Sequence, residues 1–237
     1  SSLHEKLGGA LRRSVSGAAP LDPHTHKFFR AIGAPVFEGY GLTETGPVVS
    51  VNTTRRWRFG TVGKPLPGVE VKVEAESGEI LVRGPNVMQG YFRAPELTRD
   101  ALSPEGWFRT GDLGSIESGY LRITGRQKSL LVLESGKKVQ AEEVEQAIAA
   151  SPHFADVCVV GLRSENGEQV VAVVHATPEY LSALGADAEK AAAAEVQQLC
   201  RKLAAYKRPS RVILLREPFP KTSSGKVKRN LVAESIQ

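Results

Sequence analysis

With 237 residues, 41% of them hydrophobic and 24% charged, the chain can bury one large core or two smaller ones and has the make-up of an ordinary globular protein. Its formal net charge of +5 suits polyanionic ligands without requiring them. No apolar run approaches the roughly 20 residues of a membrane-spanning helix, and Cys158 and Cys200, set in apolar stretches, suggest reduced, buried thiols in a cytosolic setting.

In chain order, Ser1 to Ser14 predicts the end of a helix followed by a loop at Ser16-Gly17. The stretch Ser1 to Arg13 carries no secretory signal and reads as the interior of a longer sequence. Asp22 has the chemistry of an N-cap for a helix that runs to about Ala31 and closes at Gly33. Pro35-Val36-Phe37 predicts a short buried strand leading into a turn at Gly39-Tyr40-Gly41. From Gly60 to Thr124 the pattern is one of short strands. Val69, Val71 and Val73 alternate with charged residues, and Ser77-Gly78 turns into Glu79-Ile80-Leu81-Val82-Arg83. With a further strand at Gly119 to Thr124, this region predicts a small β-barrel or a distorted sheet. Beyond Gly125 the character becomes α+β. Helices are expected at Glu142–Ala149, where Val144 and Ile148 share a face, at Glu189–Leu203, and at Lys228–Ile236. Strands are expected at Val157–Gly161, Val170–Ala176 and Val212–Leu215, so the order αββαβ suits a compact sheet covered by helices.

Several short motifs carry possible chemistry. In Gly39-Tyr40-Gly41-Leu42-Thr43-Glu44, two glycines let the backbone approach a ligand and the ring can stack on adenine. The hydroxyl can bond a phosphate oxygen, and the carboxylate can hold a hard cation. Gly17-Ala18-Ala19 leaves room for a flat ring, and Asp112, in Thr110-Gly111-Asp112-Leu113, can accept two hydroxyls with one carboxylate. In Pro220-Lys221-Thr222-Ser223-Ser224-Gly225-Lys226, a glycine-freed loop presents Lys226 among small hydroxyl residues, suited to a site that handles phosphate charge. It is not a Walker loop, because Pro220 and Val227 stand where that motif needs glycine and Ser or Thr. Each motif alone has an ordinary explanation as a turn or a solvated lysine; with Gly125-Arg126-Gln127-Lys128, five in one order are far more specific. Other signals are discounted. His24 and His26 lack zinc spacing, Arg55-Arg56-Trp57-Arg58 reads as a solvated loop rather than a nucleic-acid patch, and neither a nucleophile elbow nor a defensible carboxylate pair is present.

The series Ser16-Gly17-Ala18-Ala19-Pro20, Glu38 to Gly46, Gly106-Trp107-Phe108-Arg109-Thr110-Gly111-Asp112-Leu113, Gly125-Arg126-Gln127-Lys128 and Pro220 to Lys226 resembles the adenylate-forming (AMP-binding) acyl-CoA synthetases. That superfamily also holds firefly luciferase and peptide-synthetase adenylation domains. The wording from Glu38 to Val49 and at Gly84-Pro85-Asn86-Val87-Met88 is similar to that of bacterial long-chain fatty acid–CoA ligases. The resemblance implies a multidomain α+β fold. Residues 1–125 would be the C-terminal part of the large α/β AMP-binding domain, with a β-rich subdomain at 57–124, and residues 126–237 a mobile α+β domain. It implies ATP, Mg²⁺ and CoA as cofactors and a fatty acid as substrate, with no nucleic-acid partner. Tyr40, between Gly39 and Gly41, would stack on adenine, opposite a wall formed by Gly17, Ala18 and Ala19. Thr43 would contact the α-phosphate and Glu44 would bind Mg²⁺. Asp112 would hold the ribose, Arg126 ribose and phosphate, Lys128 would be the hinge, Gly136 would line the CoA path, and Lys226 would be the catalytic lysine. Gln140-Ala141 departs from relatives that carry tyrosine or serine and then proline. The family's phosphate-gripping loop, expected upstream of Ser16, is not in these residues, so the chain is expected to be a C-terminal portion, inactive alone. Open alternatives are a shorter or aromatic acid, a carrier-protein thiol as acceptor, or a non-catalytic nucleotide-binding module. The implied setting is cytoplasmic and compatible with peripheral contact at the inner membrane.

Overall fold

The structure is a computed structural model that describes residues 2–164, 167–222, 225 and 227–236. It divides into two compact units, Ser1–Thr124 and Gly125–Gln237.

The first unit begins with α1 (Ser2–Lys6), β1 (Ser14–Ser16) and α2 (Pro23–Ala31). The Asp22 carboxylate accepts the Thr25 N–H at 2.7 Å, which caps α2 and holds the Asp22 carboxyl below its usual range. Pro23 fills the first turn of α2, where no backbone donor is needed. Next come β2 (Val36–Tyr40), β3 (Ser50–Val51) and β4 (Lys64–Pro65). Residues Ser14 to Ser16 pair in parallel with Val36 to Glu38, after which Gly39 and Tyr40 pair antiparallel with Val51 and Ser50. Gly39 and Tyr40 therefore lie in a strand rather than in the turn that two closely spaced glycines suggest. The ladder to β3 holds them extended, and the turn starts at Gly41.

The remaining elements of this unit are β5 (Glu70–Val73), β6 (Glu79–Arg83), α3 (Pro95–Ala101), β7 (Phe108–Glu117) and β8 (Tyr120–Arg126), the last two residues of β8 belonging to the second unit. The strands form one sheet in the order β5-β6-β7-β8, so the β-rich region is an open, distorted sheet and not a closed barrel. Ser118 and Gly119, at φ 51° and 76°, make the two-residue connection between β7 and β8 that primed hairpin turns require. Val49, Ile80, Val82 and Leu121 form its core, with Tyr40, Val62, Val69 and Val71 packed around them. The helix α3 is absent from the strand-only reading. Its start is marked by Pro95 at the first helical position, a signal that the surrounding strand pattern masks.

The second unit holds β9 (Leu130–Val132), β10 (Lys138–Gln140), α4 (Ala141–Ile148), β11 (Phe154–Ser164), β12 (Gly167–Ala176), α5 (Pro178–Leu184), α6 (Ala188–Leu199), β13 (Arg211–Leu215) and α7 (Arg229–Glu234). The three-stranded sheet places β12 centrally, antiparallel to β11 and parallel to β13. Alternation along the strands splits the core by face. Val159, Val170, Ala172 and Val174 meet Val144, Ile148, Ala192 and Val196, while Cys158, Val160, Val171 and Val173 meet Phe219 and Val232. Cys158 and Cys200 are free and buried in different clusters. Burial pushes the Cys158 thiol up to about 12. The helix expected to reach Leu203 stops at Leu199 and tightens into a 3₁₀ turn, Cys200–Lys202, after which Leu203 is extended. The unanticipated α5 has the start signal Thr177-Pro178, with the Thr177 hydroxyl accepting the Tyr180 N–H at 3.4 Å. No helix among the described residues is long and apolar enough to cross a membrane.

Candidate active site

The first unit brings three of the motifs together. Because β1 and β2 are parallel neighbours, the segments that follow them, Gly17-Ala18-Ala19 and Gly41 to Glu44, leave the same edge of the sheet. Carboxyl ends of parallel strands are where α/β sheets place ligands. A Cβ at Gly17 would sit 3.4 Å from the Gly39 carbonyl oxygen, so the two segments run close together. Ala18 adopts the left-handed backbone, φ 68°, which is rare for a residue with a Cβ. At Gly41 a side chain is excluded, because a Cβ would lie 1.7 Å from the Pro47 carbonyl oxygen. The turn closes through Thr45, which is wholly buried. Its hydroxyl accepts the Leu42 N–H at 2.9 Å and donates to the Leu42 carbonyl at 3.0 Å. Thr43 and Glu44 are thereby presented outward, Thr43 exposed and Glu44 half-buried.

Asp112 arrives from β7. It is buried, and one carboxylate oxygen accepts the Tyr40 hydroxyl proton at 2.7 Å across 72 residues of sequence. Its backbone is held from behind. The Thr110 hydroxyl donates to the Ile80 carbonyl at 2.7 Å and accepts the Asp112 N–H at 3.0 Å. Next to it the Glu79 carboxylate, 1% exposed, accepts from Arg109 at 2.6 Å and from the Gly111 N–H at 3.0 Å. On the other side the Tyr91 hydroxyl donates to Glu44 at 3.0 Å, and burial together with that bond raises the Tyr91 pKa. The Asn86 amide nitrogen donates to the Thr45 and Val48 carbonyls at 2.9 and 3.1 Å. Glu79, Asn86 and Tyr91 are the supporting residues that motif reasoning missed. Asn86 sits in the segment 84–88, which the sequence reading singles out without a role for it, and nothing local marks Glu79 or Tyr91 beyond an acid in a hairpin strand and a tyrosine after Gly90.

In the second unit, Arg126 and Lys128 are exposed around a 3₁₀ turn, Gln127–Ser129. Gly136, at φ 72°, makes the turn between β9 and β10, its N–H donating to the Leu133 carbonyl at 2.8 Å. The Lys137 ammonium lies 4.6 Å from the Tyr206 ring centre. Lys226, with Ser223 and Ser224, lies outside the described residues. The discounted signals have structural roles. His26 is buried, 3.5 Å from Glu38 and tilted against Phe59 with ring centres 5.1 Å apart, while the Arg30 guanidinium covers the Trp57 ring at 3.6 Å. The loop at residues 55–58 is thus partly pinned rather than wholly solvated.

Two family models match, the AMP-binding enzyme over residues 2–92 and the AMP-binding enzyme C-terminal domain over residues 143–226. The chain belongs to the AMP-binding enzymes. It is 43% identical over 160 residues to the long-chain-fatty-acid–CoA ligase FadD15 of Mycobacterium bovis, covering 67% of this chain and 26% of that protein. It is 34% identical over 240 residues to the malonate–CoA ligase of Arabidopsis thaliana, covering 96% and 39%. Among solved structures, ATP-bound MatB from Rhodopseudomonas palustris matches with TM-score 0.76 at 35% identity, over 93% of this chain and 44% of that one. The chain thus spans well under half the length of these relatives.

Proposed function

We propose that this chain is part of a long-chain fatty acid–CoA ligase that couples ATP cleavage to acyl-adenylate formation and then passes the acyl group to the CoA thiol. The observation that carries the reading is the 2.7 Å bond from Tyr40 to Asp112. It joins two motifs, each weak alone, at the carboxyl edge of two parallel strands.

In this reading the Tyr40 ring and the Gly17-Ala18-Ala19 wall hold adenine, and Asp112, oriented by Tyr40, accepts the ribose hydroxyls. Thr43 donates to the α-phosphate. Among the described residues no cluster of three His, Cys, Asp or Glu could hold a metal alone. Mg²⁺ needs only one or two carboxylates plus phosphate oxygens, and Glu44, half-buried and oriented by Tyr91, fits that pattern. Bound there, the ion would supply charge neutralisation to the phosphates. Arg126 steadies ribose and phosphate. The substrate carboxylate attacks the α-phosphorus, pyrophosphate leaves, and the Lys226 ammonium offsets the charge that builds up. Residues 126–237 then turn about Lys128, the Gly136 turn lines the thiol path, and the CoA sulfur displaces AMP. The relatives that support ligase activity are far longer than these 237 residues, so the chain alone is expected to make little acyl-CoA. The reading includes a cytoplasmic setting with peripheral contact at the inner membrane.

The match to a malonate–CoA ligase over 96% of the chain favours a second reading, a short dicarboxylic acid in place of the fatty acid. ATP–pyrophosphate exchange by the intact ligase across a panel of acids separates the two. Exchange that depends on long-chain acids supports the first reading, exchange with malonate alone supports the second, and exchange with no acid overturns both.

A further inference from the structure

The lysines and arginines around residue 226 are not equivalent. The described residues from Pro220 to Lys228 are tied to one another: the Lys228 N–H donates to the Pro220 carbonyl at 2.8 Å, Lys221 and Val227 form an antiparallel bridge, and the Gly225 N–H donates to the Thr222 carbonyl at 2.9 Å. Residues at the two ends of this stretch, its two feet, are tied to β11. At one foot the Lys221 ammonium lies 2.7 Å from the Asp156 carboxylate, whose other oxygen faces His175 at 3.6 Å. At the other foot the Arg229 guanidinium donates to the Val159 carbonyl at 2.8 Å and to Glu145 at 2.9 Å, and Glu145 in turn accepts the Val159 N–H at 2.7 Å. Below the loop, Phe219 and Val232 are buried against Val171 and Val173.

We infer that Lys221, through Asp156, is a positioning residue for the adenylation step, setting where the loop that carries Lys226 stands on the second unit without itself touching substrate. The inference rests on the proposed role of Lys226. Arg229 holds the opposite foot, but it is packed among Glu142, Glu145 and Val159, so its loss threatens folding. Lys221 is the better probe because its side chain is 40% exposed, and an exposed ion pair contributes little to global stability. A loop anchored at two points loses register when one anchor goes, and misplacing a reacting group by about 1 Å costs about 10²-fold in rate.

The test uses the intact ligase and measures its two half-reactions separately, alongside the unfolding midpoint. Lys221→Met is expected to lower kcat for ATP–pyrophosphate exchange about 10- to 100-fold with the KM for ATP nearly unchanged. Thioester formation from supplied acyl-adenylate should stay within about twofold, since that step does not need Lys226. Lys221→Arg, which keeps a cation opposite Asp156, should restore exchange. Asp156→Asn should match Lys221→Met, and the double variant should be no worse than either, as expected of two groups acting as one. If Lys226→Ala abolishes exchange and Lys221→Met leaves it intact, the positioning role is wrong. Equal losses in both half-reactions, or a fallen midpoint that Lys221→Arg does not repair, would overturn it too. If Lys226→Ala itself leaves exchange intact, the proposed function fails instead.

Discussion

Glu79→Gln isolates the support beneath Asp112. In the native protein the Glu79 carboxylate, 1% exposed, takes a 2.6 Å charge-assisted bond from Arg109 and a 3.0 Å bond from the Gly111 N–H. Glutamine keeps the shape, and its amide oxygen can still accept from Gly111. Its amide nitrogen then faces another donor at Arg109, so one charge-assisted bond is lost, about 1.5–3 kcal/mol. Breaking a fully buried pair costs about 3–5 kcal/mol. That larger figure does not apply, because the Arg109 side chain is 47% exposed and can turn back to water. The expected loss is about 2 kcal/mol, a fall of about 5–10 °C in the melting temperature of a unit this size. Trp57 and Trp107, the chain's two tryptophans, both lie in the first unit, so their fluorescence during denaturation follows that unit alone. In the intact ligase the same change should raise the KM for ATP, because Arg109, which loses its Glu79 partner, stands three residues before Asp112 on β7. A denaturation midpoint within about 0.5 kcal/mol of the parent would show that the Glu79–Arg109 bond is not holding this region.

Three further expectations follow from geometry. Gly41→Ala places a Cβ 1.7 Å from the Pro47 oxygen, so it should destabilise the first unit by about 1–3 kcal/mol or more and weaken ATP binding; an unchanged midpoint and KM would contradict the packing there. Cys158 has its folded pKa raised by burial from 9.0 to about 12. A raised pKa contributes stability that is complete below the unfolded value, so the second unit should lose stability as pH climbs from about 9 toward about 12. Cys158→Ala should flatten that dependence in denaturant titrations, and identical slopes for the two proteins would refute the assignment. Residues 126–237 alone should unfold cooperatively, since both faces of their sheet are covered from within the unit; a non-cooperative transition by circular dichroism would refute it.

Much of this was legible where chemistry is local. Asp22 caps α2 because its carboxylate has an N–H three residues on, whereas Gly41, read as giving the backbone access to a ligand, is required by its contact with Pro47. Strand alternation at Val69, Val71 and Val73 is a short-range signal of the same kind. What escaped is non-local. No spacing links Tyr91 to Glu44, 47 residues apart, or Glu79 to Gly111, 32 apart. The helices α3 and α5 each begin with Pro but are only seven residues long, too short to show a periodicity of their own. The extent of β2 was misjudged because Gly39 and Tyr40 are extended by pairing with β3, a partner no local pattern names.

The strand β2 belongs to two lattices at once, parallel to β1 over Val36 to Glu38 and antiparallel to β3 at Gly39 and Tyr40. The distance between these neighbouring strands, about 4.8 Å, is set by peptide hydrogen bonds that side-chain replacement does not touch. Side chains along β2 can thus be replaced with the spacing of its two neighbours left as a constant of the fold.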